Sequence, residues 1–219
     1  MLQEVYRRLF EAFGPQHWWP AETTFEMIVG AMLTQNTSWK NVERALDNLR
    51  KADLLEPKAL YAVPLEELEE LLRPAGYFRI KARRLRSLLE FIVERYDGSL
   101  EAMFQVGVEE LRRQLLEVHG VGPETADSIL LYAGQMPSFV VDTYTHRILA
   151  RHGWIDFDAD YHQIKDYLES ELPRDVPLYN EYHALLVRLA KDYCRKQRPK
   201  CEECPLRELL PPGGPLERE

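Results

Sequence analysis

LLEVHGVGPETADSILLYAG, running from Leu115 to Gly134, is the stretch that decides the fold. Its two halves carry apolar residues at helical spacing and meet at Gly120-Val121-Gly122, which predicts two helices joined by a tight turn. Glycine at positions 120 and 122 allows positive φ and lets one backbone approach another closely. Pro123 suits the first position of a helix, where its missing N–H costs nothing. A helix that starts there points free amides and the positive end of its dipole outward, which makes a natural phosphate seat. A turn of this kind is common by itself. It gains meaning from FVVDT (Phe139 to Thr143), which places Asp142 shortly downstream.

Outward from this hairpin, nearly every segment reads at helical period. Helices are predicted over 2–13, 23–35, 37–52, 63–76, 78–98, 107–120, 123–134, 145–153, 161–172 and 180–194. Thr23 and Glu26 have the spacing of a capping box, and Thr37 or Ser38 suits an N-cap. Pro74 with Gly76, and later Gly98, supply stop signals. No strand pair is evident, so the expected class is all-α. A chain of 219 residues can form one large domain or two smaller ones.

Hydrophobic residues at 45% and charged residues at 29% exclude a disordered chain. No apolar run approaches the roughly 20 residues needed to span a bilayer. The first fourteen residues read as an amphipathic helix rather than a signal peptide, so no membrane association and a cytoplasmic location are expected. Net charge is −8 (28 basic minus 36 acidic residues), which taken alone argues against nucleic acid. Local patches matter more than the total: RIKARRLR holds Arg79, Lys81, Arg83, Arg84 and Arg86, and CRKQRPKC holds Arg195, Lys196, Arg198 and Lys200. The three cysteines, Cys194, Cys201 and Cys204, lie close together near the C-terminus. An odd, clustered set argues against a disulfide framework and for a metal or cluster loop.

The order of helix-hairpin-helix, Gly/Pro-rich connection and Asp142 resembles the endonuclease III superfamily of DNA glycosylases, and the resemblance covers nearly the whole chain. MLTQNT resembles the helix end that supplies a DNA-filling residue, here Gln35 or Asn36. GYFRIKARRL resembles a family helix start, and Cys194-x6-Cys201-x2-Cys204 resembles the family's iron–sulfur loop. Bifunctional members carry a Schiff-base lysine in GVGRKTA, whereas GVGPETA places Glu124 there. A carboxylate cannot form an imine, so strand cleavage by that route is excluded. Together with His17-Trp18-Trp19-Pro20 and Trp39, the pattern is closely similar to the 3-methyladenine DNA glycosylases of the superfamily.

The resemblance implies a two-domain fold with a cleft between the domains. A helical barrel is expected over 21–132, with 1–20 and 133–219 forming the second domain. The expected partner is double-stranded DNA holding a damaged base, bound by a monomer. Asp142 is the catalytic candidate, because a carboxylate stabilises the oxocarbenium-like sugar of N-glycosidic cleavage or activates water. Its structural alternative is an N-cap on the following helix. An alkylated purine is already cationic and leaves without an acid, so one carboxylate suffices. The target base must leave the stack, and aromatic faces attract a cationic base. Trp18, Trp19, Pro20 and Trp39 are therefore candidate pocket walls, with core packing the alternative for the tryptophans. Lys191 falls near a lysine that related enzymes use and that can be carbamylated. Gly120, Val121 and Gly122 are expected to grip a phosphate, with a monovalent cation on the hairpin carbonyls. The family's fourth cysteine would stand at position 210, where the residue is Leu210. That leaves a [4Fe–4S] cluster with another ligand, a [3Fe–4S] form, or loss of the cluster; zinc would need a histidine, and none lies in the loop. Competing functions are a glycosylase for another damaged or mismatched base, and a non-catalytic module that binds DNA damage.

Overall fold

The computed structural model describes residues 1–18 and 21–217; the predicted pocket residues Trp19 and Pro20 lie outside them. The described residues are helical, with turns and extended connections and no strand, as an all-α pattern requires. The chain divides into two compact units, Met1–Trp18 with Pro137–Glu219, and Trp19–Met136.

The first unit opens with α1 (Leu2–Phe13), which buries Leu2, Val5 and Leu9 along one face. The second unit holds α2 (Thr24–Leu33), α3 (Trp39–Lys51), α4 (Pro57–Ala62), α5 (Leu65–Leu72), α6 (Phe78–Tyr96), α7 (Leu100–Phe104), α8 (Val108–Glu117) and α9 (Pro123–Ser128). The chain returns to the first unit for α10 (Thr143–Arg151), α11 (Tyr161–Glu171) and α12 (Val176–Asp192). The short helices α4 and α7 carry too few residues to show a period, and the sequence reading missed both. It also began α12 at Asn180. The helix starts at Val176, where the Asp175 side chain accepts from the Leu178 amide and Pro177 sits in the first turn.

Helix α2 is almost wholly buried and centres the second unit's core, with Ile28, Met32, Leu46, Leu49, Leu85, Leu89 and Leu130 packed together. Its cap departs from the predicted box. Thr23 accepts from the Glu26 amide at 3.1 Å, but the Glu26 carboxylate takes the amide of Glu22 at 2.7 Å instead of that of Thr23. Glu26 is buried, and Arg50 Nη2 at 2.8 Å supplies the charge that burial demands. After α9 the helix widens into a π turn, Ile129–Ala133, closed by the Gly134 amide on the Ile129 carbonyl. A side chain at Gly134 would stand 2.7 Å from the Phe104 ring, so the close packing of α7's end requires glycine.

In the first unit α1 and α10 both pack on α12. Tyr182 of α12 donates to the buried carbonyl of Leu2 at 2.9 Å. Phe139 meets Tyr179 and Tyr182 edge-on, with centroids 5.2 and 6.0 Å away.

Candidate functional site

Buried Phe139, Val140 and Val141 anchor the segment that delivers Asp142 to the start of α10. Asp142 is the N-cap: its Oδ1 accepts from the Thr145 amide at 2.7 Å and the Thr145 hydroxyl at 3.0 Å. The other oxygen, Oδ2, faces Nε2 of His183 at 3.4 Å. The carboxylate side chain is 13% exposed. Burial pushes its pKa up, but the hydrogen bond and charge of His183, with the Thr145 amide and hydroxyl, more than reverse this and hold it below the ordinary value. The cap and the ionised carboxylate therefore coexist on one side chain.

His183 went unnoticed in the sequence, because a histidine on the apolar face of a long helix carries no motif. Trp18 stands edge-on to it, centroids 6.2 Å apart at 88°. Lys191, exposed on the last turn of α12, holds its Nζ 5.9 Å from the Trp18 ring centre. Trp18 is half-buried, and its Nε1 is buried with no hydrogen-bond partner among the described residues. Asp142, His183, Trp18 and Lys191 thus form a continuous series of contacts within one unit.

The hairpin lies in the other unit. Gly120 has φ +87°, and a Cβ there would fall 2.2 Å from Arg84 Cγ, so both conformation and contact demand glycine. Gln35 pins this turn: its Nε2 donates to the Gly120 carbonyl at 3.1 Å and to Thr125 Oγ1 at 3.0 Å. Its Oε1 accepts from Arg84 Nη1 at 2.5 Å. The Gln35 amide is therefore engaged inside the protein, while Asn36 is exposed with φ 53°. The Val121 amide donates to the Val118 carbonyl at 3.1 Å and its side chain is buried. Gly122 is the N-cap of α9, and Glu124 is exposed in the first turn of that helix.

The basic run of α6 is largely turned inward. Lys81 Nζ donates to the Ala75 carbonyl at 2.8 Å, and burial, helped by the Arg84 charge, pushes its pKa down to about 8. Arg86 donates to the carbonyls of Tyr61 and Val63. Arg79 and Arg83 stay exposed, beside Tyr77 at 69% and Ile80 at 52% exposure. Sequence counting could not separate these two groups, because on a helix the side that faces the core depends on packing. Trp39 lies partly buried against the core of its own unit.

The three cysteines line one small cavity of about 10 Å³, together with Arg151, His152, Tyr193, Leu210 and Pro215. Among the described residues no three of the thiol, imidazole and carboxylate groups already close on a common point. Burial pushes the Cys204 thiol up to about 11 and raises that of Cys201. Buried Arg151 sits 3.6 Å from Cys194 Sγ and donates to the carbonyls of Arg195 (2.7 Å) and Lys196 (3.2 Å). These bonds hold the loop so that Arg195, Lys196, Arg198 and Lys200 all remain exposed. His152 comes from the end of α10, outside the loop, which is why cysteine spacing alone gave no hint of it.

An all-α chain with a glycine-pinned helical hairpin and a downstream capped aspartate defines the DNA glycosylase class. Residues 29–174 match the HhH-GPD superfamily of base excision DNA repair proteins. The chain belongs to that superfamily and is a DNA glycosylase of base excision repair. A Methanocaldococcus jannaschii protein provisionally named a DNA repair glycosylase is 50% identical over 211 residues, 95% of each chain. A non-covalent endonuclease III–DNA complex overlays with TM-score 0.82 at 25% identity, over 95% of this chain and 93% of that one. The Helicobacter pylori 3-methyladenine DNA glycosylase bound to 1,N6-ethenoadenine overlays with TM-score 0.74 at 29% identity, over 86% and 96%. No helix is long and apolar enough to cross a membrane among the described residues.

Proposed function

We propose that the protein is a monofunctional glycosylase that binds double-stranded DNA and excises alkylated purines, 3-methyladenine first. The observation that carries this reading is the grouping of ionised Asp142, His183 and the Trp18 ring, with Glu124 rather than lysine at the Schiff-base position. A cationic base leaves as a neutral molecule, so the C1′–N bond breaks without a proton donor. Positive charge then develops on the sugar, and the Asp142 carboxylate stabilises it while water adds to C1′ and passes its proton to that carboxylate. Trp18 favours the cationic base by its π face. Likeness to the Helicobacter pylori enzyme supports the alkylpurine substrate. The overlay on the endonuclease III complex supports DNA as the partner, and an oxidised or mismatched base is the second reading of the substrate.

For the hairpin, Gly120 and Gly122 remain the proposed phosphate grip, with a monovalent cation on the carbonyls. Because the Gln35 amide is engaged internally, Asn36 is the better placed residue to enter the gap left by the flipped base. Three thiols sharing one cavity with a buried arginine suit a thiolate-held metal group, and Cys194, Cys201 and Cys204 would hold an iron–sulfur cluster there. Its part would be structural, fixing the basic loop against the DNA backbone.

The test is free-base release from duplexes bearing alkylated, oxidised or mismatched bases. Alkylpurine release with no nicking at abasic sites is expected. Borohydride trapping of a covalent DNA adduct would overturn the monofunctional reading, and release confined to oxidised bases would overturn the substrate.

A further inference from the structure

We propose that His183 is the positioning residue of base excision: it fixes the Asp142 carboxylate as the group that meets positive charge at C1′. This rests on the reading of Asp142 as the catalytic carboxylate and names what orients it. Oδ1 is already taken by two donors, the Thr145 amide at 2.7 Å and the Thr145 hydroxyl at 3.0 Å. Oδ2 faces His183 Nε2 at 3.4 Å, and an acceptor-only carboxylate favours the forms of the ring that carry a proton on Nε2. One such donor leaves Oδ2 a lone pair for the proton that water gives up. With the imidazole 8% and the carboxylate 13% exposed, little water competes for this contact.

Packing sets this distance before any substrate arrives. Tyr179 and Tyr182, on the same helix as His183, both meet Phe139 edge-on, and Phe139 opens the buried segment that ends at Asp142. Tyr182 also donates to the Leu2 carbonyl, which ties α12 to α1 beside His183. Helix α10, which Asp142 caps, packs on α12 as well. Trp18 stands edge-on to the imidazole, so His183 meets both the carboxylate and the aromatic wall proposed for the cationic base. A group held in place this way costs no reorganisation when charge develops on the sugar.

The charged groups on the surrounding elements are engaged elsewhere. On α10, Arg147 and Arg151 bond to the Cys194 and Arg195 carbonyls. On α12, Glu181 takes the Gln16 amide at 2.6 Å, Arg188 pairs with Asp192 at 3.6 Å, and Lys191 meets the Trp18 ring. On α1, Glu4, Arg7, Arg8 and Glu11 pair with one another and with Glu208. Burial raises the Asp142 carboxyl, and His183 comes first among the groups that lower it. Removing the imidazole therefore lets burial gain ground, and ionisation of Asp142 is lost at higher pH than in the wild type.

The test is single-turnover release of labelled base as a function of pH, in full-length wild type, His183→Phe and His183→Gln. Phenylalanine keeps a ring against Trp18 and loses the donor; glutamine keeps a donor of similar reach without the charge. His183→Phe is expected to release base about tenfold more slowly at neutral pH, with the acidic fall of its rate moved to higher pH and its duplex affinity retained. His183→Gln is expected to lie between it and wild type on both counts. Carbon-13 titration of the Asp142 carboxyl reads the same displacement without substrate. A His183→Phe rate within about threefold of wild type, or rates lowered in both variants with no displacement along the pH axis, overturns the proposal. If phenylalanine prevents folding, an Asp142 titration in His183→Gln identical to wild type overturns it equally. The labelled base is whichever one wild type releases, alkylpurine or other, so failure of the substrate reading and failure of His183 are read separately. Wild type that releases no base from any lesion overturns the site and this role together.

Discussion

Replacing Asp142 by asparagine separates the two tasks of this side chain. The amide keeps an oxygen for the Thr145 N–H, now accepted at 2.7 Å, and asparagine caps helices about as well as aspartate. What disappears is the negative charge facing His183 at 3.4 Å. At 13% exposure little water can replace that charge, so its loss should be felt almost fully at the reacting sugar. Removing one preorganised electrostatic group from an active site costs about 2.7–4 kcal/mol, or about 10²- to 10³-fold in rate. Asp142→Ala loses the cap as well, which adds about 1 kcal/mol of destabilisation. The assay is single-turnover release of labelled methylpurine from alkylated duplex, with urea unfolding alongside. Expected are base release lowered by about 10²- to 10³-fold in both variants, a stability loss in asparagine limited to the carboxylate's charge, and a larger loss in alanine, which gives up the cap as well. Release by Asp142→Asn within threefold of wild type, a factor of about 0.7 kcal/mol, would refute the charge argument. Equal destabilisation of the two variants would refute the cap argument.

Other outcomes follow from the same contacts. Because the folded carboxyl of Asp142 is held below its unfolded value, the stability it contributes is complete above about pH 4 and is lost as pH falls through the folded value; unfolding from pH 7 down to 3 should show that loss in wild type and not in Asp142→Asn. Gly120→Ala should destabilise by about 1–3 kcal/mol from its φ of +87° alone, with more from the clash on Arg84, as read by chemical denaturation. Trp18→Ala should weaken capture of a cationic base by about twofold to thirtyfold, the range of 0.5–2 kcal/mol for one ring, while leaving uncharged lesions nearly unaffected; an equal loss on both classes would deny the cation–π role.

What could be read from the sequence was what local chemistry dictates. The glycines of GVG and the N-cap spacing at Thr23 and Asp142 depend only on neighbouring residues, and each appears in the structure at the position read. Tertiary partners were harder. His183 and His152 lie far along the chain from the residues they face, and nothing in either local pattern marks them. The basic run of α6 misled for the same reason: Lys81 and Arg86 donate to carbonyls of neighbouring segments, and only the packed structure shows which cations remain outside. Gln35 was read as a residue for DNA, yet within the protein its amide joins the hairpin to Arg84.

Helix α10 joins the two chemical features of its unit. Its N-cap is Asp142, the catalytic candidate, and its last residue, Arg151, reaches the cysteine loop, so both sit on one nine-residue rod. Arg147 and Arg151, on the same helix, bond to the Cys194 and Arg195 carbonyls at 2.8 and 2.7 Å, which fixes the helix to the end of α12 and the start of the loop. Helix α12 carries His183 and Lys191 as well. A group held by Cys194, Cys201 and Cys204 would therefore be tied to α10 through Arg147 and Arg151. Loss of such a group should free the basic loop first, so DNA binding falls more than the rate of base release from bound DNA.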